Sequence, residues 1–133
     1  MKFASIRIIT ADIKPLLAFY DKITGLQAIQ YTEDFAEFHT PFFKLAIGST
    51  RTLELFGGAH LATPASNQSV ILEFEVNDVD AEYNNLEEYL GDKIVQKPTT
   101  MPWGNRSMLL RDTDGNLVNF FTPAKPGPSE KAN

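Results

Sequence analysis

Chemistry in this chain would have to come from few side chains. The 133 residues contain no cysteine and only two histidines, His39 and His60. The missing cysteines exclude disulfides, thiol nucleophiles and thiolate metal sites. An imidazole can serve as a general base near neutral pH. Nothing beside His39 or His60 in sequence completes a triad, so both are expected to be surface or partly buried polar residues. Serines occur without a G-x-S-x-G elbow, and Gly57-Gly58 forms neither a P-loop nor a dinucleotide fingerprint. Other polar and aromatic side chains, among them Arg7, Glu54, Glu73, Asn119, Phe56, Phe121 and Trp103, carry chemistry only if the fold brings them to one face. Trp103, the single tryptophan, sits in a Pro-Trp-Gly turn. It either closes the end of the core or offers a planar ligand a flat, low-entropy surface.

These side chains must be placed by elements, and a weak internal repeat organises the elements. Asp12 and Asp78, Ile13 and Val79, Gly25 and Gly91, Ile29 and Val95, and Gln30 and Gln96 all match at one offset of 66 residues, about half the chain. Each copy opens with a strand of period two: Ile6, Ile8 and Thr10 against Ser5, Arg7 and Ile9, then Val70, Leu72, Phe74 and Val76 against Ile71, Glu73 and Glu75. A helix follows each. Ile13, Leu16, Leu17, Tyr20 and Ile23 fall at helical spacing, as do Val79, Tyr83, Leu86 and Leu90. Asp12 and Asp78 are the expected N-caps, Pro15 is tolerable in a first turn, and Gly25 and Gly91 end the helices. Three strands complete each half: residues 26–31, 35–47 with a break near Pro41, and 52–56, then 93–99, 106–111 and 117–121. The Asp-Gly pair within 112–116 marks a hairpin. Residues 58–68 are Gly-, Ala-, Pro- and Ser-rich and read as a linker, joining module one (4–57) to module two (69–123) in a single domain, 1–123. Residues 124–133 read as a flexible tail.

Composition narrows the function. Hydrophobic residues are 43% and charged residues 22%, as in ordinary globular proteins. The net charge is −5, with no cluster of Lys and Arg, which argues against nucleic acid or an anionic membrane as partner. No apolar stretch approaches the roughly 20 residues of a spanning helix. Arg7 and Asp12 interrupt what would be the apolar part of an export signal, so the cytoplasm is the expected location.

The β-α-β-β-β unit written twice resembles the vicinal oxygen chelate superfamily, which includes glyoxalase, bleomycin-resistance and ring-cleaving dioxygenase proteins. The resemblance is carried by the opening strand, Asp12 through Phe19-Tyr20, and Thr24-Gly25-Leu26. In the second half it rests on Phe74 to Tyr83, Pro102-Trp103-Gly104 and Arg111 to Phe121. It implies an α+β fold of two βαβββ modules whose sheets curl around a shared cleft, with a homodimer as the usual assembly. It also implies metal ligands, in the metal-dependent members, on the opening and closing strands of each module. Those positions here are Ser5 and Ile71, Glu54 and Asn119. Of the four only Glu54 is a good ligand for a divalent ion, so neither a metal nor another cofactor is expected.

Strand parity then aims Phe56, Phe121, Arg7, Glu73 and Glu75 into the cleft together with Glu54 and Asn119. Arg7 and Glu73 are expected to pair, because burying either alone would cost several kcal/mol. The expected function is metal-independent binding of a small, partly aromatic molecule, as in bleomycin-resistance-type proteins. Trp103, Phe56 and Phe121 would form walls, and Arg7, Glu54, Glu73 and Asn119 would set orientation. The alternatives are a glyoxalase-like lyase, isomerase or dioxygenase-type enzyme, and a module with a collapsed cleft.

Overall fold

The computed structural model describes residues 1–124; the expected tail lies almost entirely outside them. Two copies of β-α-β-β-β follow one another. The first comprises β1 (Ser5–Thr10), α1 (Ile13–Thr24), β2 (Ile29–Thr32), β3 (Phe35–His39) and β4 (Lys44–Ser49). The second comprises β5 (Ile71–Glu75), α2 (Val79–Leu90), β6 (Ile94–Thr100), β7 (Arg106–Arg111) and β8 (Leu117–Thr122). Each copy forms its own four-stranded sheet, in the orders β1-β4-β3-β2 and β5-β8-β7-β6. The opening strand runs parallel to the closing strand in both. This is the α+β, two-module architecture expected above.

Two compact units result. One is Met1–Gln68 with the turn Asp112–Gly115; the other is Ser69–Arg111 with the segment from Asn116 onward. Within the first unit α1 buries Ile13, Leu16, Leu17, Phe19, Tyr20 and Ile23, while the sheet contributes Ala36, Phe38, Leu45 and Ile47. The second unit buries Val79, Leu86 and Leu90 of α2 with Leu72, Met108, Leu110, Val118 and Phe120. The caps are those the sequence suggests. Asp12 accepts from the Lys14 amide, and Asp78 accepts from the Asp80 and Ala81 amides. Gly25 ends α1 at φ +69°, a left-handed conformation that favours glycine.

Three expectations change. Residues 35–47 are not one broken strand but a hairpin, β3 and β4, turned at Thr40–Phe43, where the Thr40 hydroxyl donates to the Phe43 carbonyl at 2.7 Å. The first sheet is therefore complete at Ser49, and residues 52–56 are not its closing strand. They belong to a 3-10 helix, Thr50–Phe56, whose N-cap Ser49 accepts from the Arg51 amide. The alternation Leu53, Glu54, Leu55, Phe56 imitates a strand, but only Leu53 is buried and Leu55 is 95% exposed. Finally, β1 and β5 belong to separate sheets, each at the edge of its own. Arg7 and Glu73 are not among the ion pairs of the described residues.

Candidate functional site

The strand register of the first sheet lays out a face opposite α1. Phe35, Gly48 and Ile9 form one row across β3, β4 and β1; Glu37, Ala46 and Arg7 form the next; His39, Lys44 and Ser5 form the third. The middle strand thus contributes a methyl group and a hydrogen, which leaves a shallow floor between larger neighbours. A Cβ at Gly48 would come 3.0 Å from the Thr52 hydroxyl and 3.4 Å from Arg7 Cδ, so a larger residue there would press on both side chains. The Arg7 stem crosses this floor, and its guanidinium lies 4.8 Å from the Phe35 ring centroid and 5.8 Å from that of Phe56. Such distances suit a cation–π contact. Tyr31 extends the aromatic surface, 6.0 Å from Phe35 and tilted by 30°.

The 3-10 helix roofs this end of the face. Between it and the sheet is a pocket of about 470 Å³, lined by Arg7, Asp34, Phe35, Arg51, Leu55 and Phe56 among others. Phe56 and Leu55 are largely exposed in the isolated chain. Asp34 is held by Arg51 Nε at 2.8 Å and by the Ser49 hydroxyl at 2.8 Å. These hydrogen bonds, that of Arg51 first, keep its carboxyl below the ordinary range. Beside the pocket, Glu37 accepts from the Tyr31 hydroxyl at 3.1 Å and pairs with His39 Nε2 at 2.8 Å. The His39 contact, more than that of Tyr31, holds the Glu37 carboxyl below its usual range.

The second unit has a corresponding face with other contents. Glu73 and Asn119 are register partners, and the Asn119 amide donates to Glu73 Oε2 at 2.9 Å. Asn119 Oδ1 is shielded and has no partner among the described residues. Phe121 lies two positions along the same strand, opposite Glu75 and Ser107. Trp103 occupies the tip of the turn between β6 and β7, which is closed by the Met101 amide on the Asn105 carbonyl at 2.7 Å. It is 69% exposed, so it does not plug the core of its unit.

Of the residues singled out in the sequence, the structure brings Arg7 together with Phe56 and Glu73 together with Asn119. Glu54 sits exposed on the 3-10 helix, outside the lining of the pocket. Sequence reasoning passed over Phe35, Asp34 and Arg51, and it treated His39 as an isolated polar residue. The period-two run of β3 was the available signal, since it puts Phe35, Glu37 and His39 on one face.

The register also identifies the residues at the implied ligand positions. Ala46 stands opposite Arg7 as Asn119 stands opposite Glu73, so the closing-strand position of the first half is Ala46 and not Glu54. The residues at the implied ligand positions are then Ser5 and Ala46 in one unit, Ile71 and Asn119 in the other. Two neutral oxygens and two hydrocarbon side chains do not fit a divalent first-row ion. Among the described residues no group of three or more His, Asp or Glu is placed to hold one.

The sequence profile of the Glyoxalase/Bleomycin resistance protein/Dioxygenase superfamily matches residues 2–120. The Bacillus subtilis (strain 168) protein YraH is 31% identical over 126 residues, covering 91% of this chain and 98% of YraH. Among solved structures, a glyoxalase/bleomycin resistance protein/dioxygenase from Nocardioides superposes with a TM-score of 0.77 at 22% identity, covering 96% of this chain and 86% of that one. A family enzyme from Burkholderia phytofirmans PsJN gives 0.78 at 19%, covering 92% and 98%. At these identities the two structures show the shared fold alone.

Proposed function

The chain belongs to the Glyoxalase/Bleomycin resistance protein/Dioxygenase superfamily, and from that premise we propose that it binds a small, partly aromatic molecule in the pocket of its first unit without a metal ion. The observation that carries this reading is the Arg7 guanidinium resting against Phe35 and Phe56 at the wall of a 470 Å³ pocket. That volume falls within the usual range for small-molecule sites, which combine apolar lining with a few polar anchors. Arg7 and Phe56 belong to the set drawn from the sequence, and Phe35 joins them. Glu73 and Asn119, joined by a hydrogen bond, lie on the second unit, as do Phe121 and Trp103. The working form in this reading is a cytoplasmic homodimer. The large apolar side chains left exposed on the chain, Phe3, Phe42, Leu61, Val70 and Val95, are material for such an interface.

Calorimetric titration with planar aromatic compounds tests the pocket. Phe35→Ala and Phe56→Ala should each weaken binding about tenfold or more, as loss of an aromatic hot spot does. Wild-type protein that binds no member of a broad aromatic panel would remove the reading.

A second reading, an enzyme moving protons, rests on one observation. The Glu37 carboxylate lies 2.8 Å from His39 Nε2, and a histidine oriented by a carboxylate is an arrangement used in general acid–base catalysis. Solvent-deuterium exchange into a bound carbonyl compound, abolished in His39→Gln, would favour it over simple binding.

A further inference from the structure

We propose that the ligand of this pocket is an anion, a planar aromatic carboxylate or an oxyanion of the same shape, and that Arg7 is the residue that recognises its charge. The inference rests on the binding reading above and names the ligand class.

The first argument is the balance of charge around the pocket. Three charged residues line it: Arg7, Asp34 and Arg51. Asp34 and Arg51 neutralise one another through the 2.8 Å contacts of Arg51 Nε and Nη2 with Asp34 Oδ1. Glu33 and Glu54 also lie near enough to favour the charged form of Arg51. Arg7, by contrast, forms no ion pair among the described residues. Among the charged residues of the lining, Arg7 is therefore the one without a partner of opposite sign.

The second argument is geometric. The Arg7 guanidinium carbon lies over the Phe35 and Phe56 rings, and its N–H groups have no hydrogen-bond or ion-pair partner among the described residues. A planar fork of free donors beside aromatic surface matches a carboxylate carried on an aromatic ring. The oxygens take two parallel N–H bonds, and the ring continues along the Phe35 and Phe56 side chains that line the pocket. A neutral aromatic would leave the donors to water, and a cation would meet like charge.

The alternative role for Arg7 is to cover Phe35 with its stem while its head stays in water, as surface arginines often do. The two roles separate in an experiment with three probes of one shape: 2-naphthoate, 2-naphthamide and 2-naphthylmethylammonium. Each is titrated calorimetrically at pH 7 and low ionic strength into wild-type protein, Arg7→Gln and Arg7→Lys, after circular dichroism confirms that all three are folded. Wild type should prefer the carboxylate over the amide by about tenfold and bind the ammonium weakest, and added salt should erode the preference. Arg7→Gln should bring the carboxylate-to-amide ratio close to one. Arg7→Lys, which keeps the charge and loses the fork, should keep part of it. Equal affinity of wild type for carboxylate and amide, or a preference that survives Arg7→Gln, would overturn the anion assignment while the amide still reports a working pocket. Failure of all three probes to bind at millimolar concentration would overturn the pocket reading and this inference with it.

Discussion

At the scale of single residues, burial separates side chains with the same apparent promise. Trp103 and Tyr20 are both aromatic, yet Trp103 caps an exposed turn and Tyr20 is fully buried. Trp103→Ala should therefore cost less than about 1 kcal/mol in urea denaturation, whereas a tryptophan serving as a core plug would cost about 3–5 kcal/mol. Tyr20 donates its hydroxyl to Asp112 Oδ2 at 2.6 Å inside the first unit. Burial first, and then the neighbouring Asp112 carboxyl, push the phenol far above its ordinary pKa, so it remains a donor. Tyr20→Phe keeps the ring and deletes a buried hydrogen bond, and should lower stability by about 1–3 kcal/mol in the same assay.

At the scale of elements, the 3-10 helix is where local pattern and fold disagree. In a closing strand Leu55 would face the core, and Leu55→Lys would cost several kcal/mol. On the observed helix Leu55 faces outward, and the change should stay within about 0.5 kcal/mol. Leu53→Ala, two residues away and 8% exposed, should cost about 2–5 kcal/mol. Much of the fold was legible because its signals are local. The period of two in β5 and β8, the Asp caps of both helices and the Asp-Gly hairpin each show in a few neighbouring residues. The closing strand of the first half was not legible, because its identity depends on which residues stand opposite Arg7 across the sheet. The repeat could not supply that register. The two halves differ in the connection before their third strands: a two-residue turn at Glu33 and Asp34 in the first, the longer turn bearing Trp103 in the second. The site was half legible for the same reason. Arg7 and Phe56 could be named from their types, but Phe35 and Asp34 join them only once β3 and the 3-10 helix fold over the same end of the sheet.

At the scale of the molecule, acid should loosen both units through the same chemistry. Glu37, Asp34 and Asp80 are held below their ordinary values of 4.5, 3.8 and 3.8 by His39, Arg51 and Arg106 respectively. A carboxylate whose pKa is depressed on folding adds stability that is complete above its unfolded value and is lost as pH falls through the folded one. The melting temperature should thus hold level from about pH 8 to about pH 5 and decline below about pH 4. Glu37→Gln should shrink the decline. Chelators should leave the melting temperature unchanged, in keeping with the donor set on the strands; a chelator-induced drop with an equivalent of zinc, nickel, manganese or iron in elemental analysis would contradict it. Sedimentation at tens of micromolar should show a dimer burying more than about 1,000 Å² in total, and a monomer there would contradict the proposed assembly.

The Tyr20–Asp112 bond also ties the first half of the sequence to a residue of the second. Tyr20 belongs to the first copy of the repeat, while Asp112 is supplied by the turn joining β7 to β8, late in the second. A polypeptide cut at Gln68 would keep β1 to β4 and α1 intact in sequence and still lack the acceptor for a phenol in its interior. Such a fragment should be soluble only as a loosely packed species, and adding the missing half in trans should restore cooperative melting.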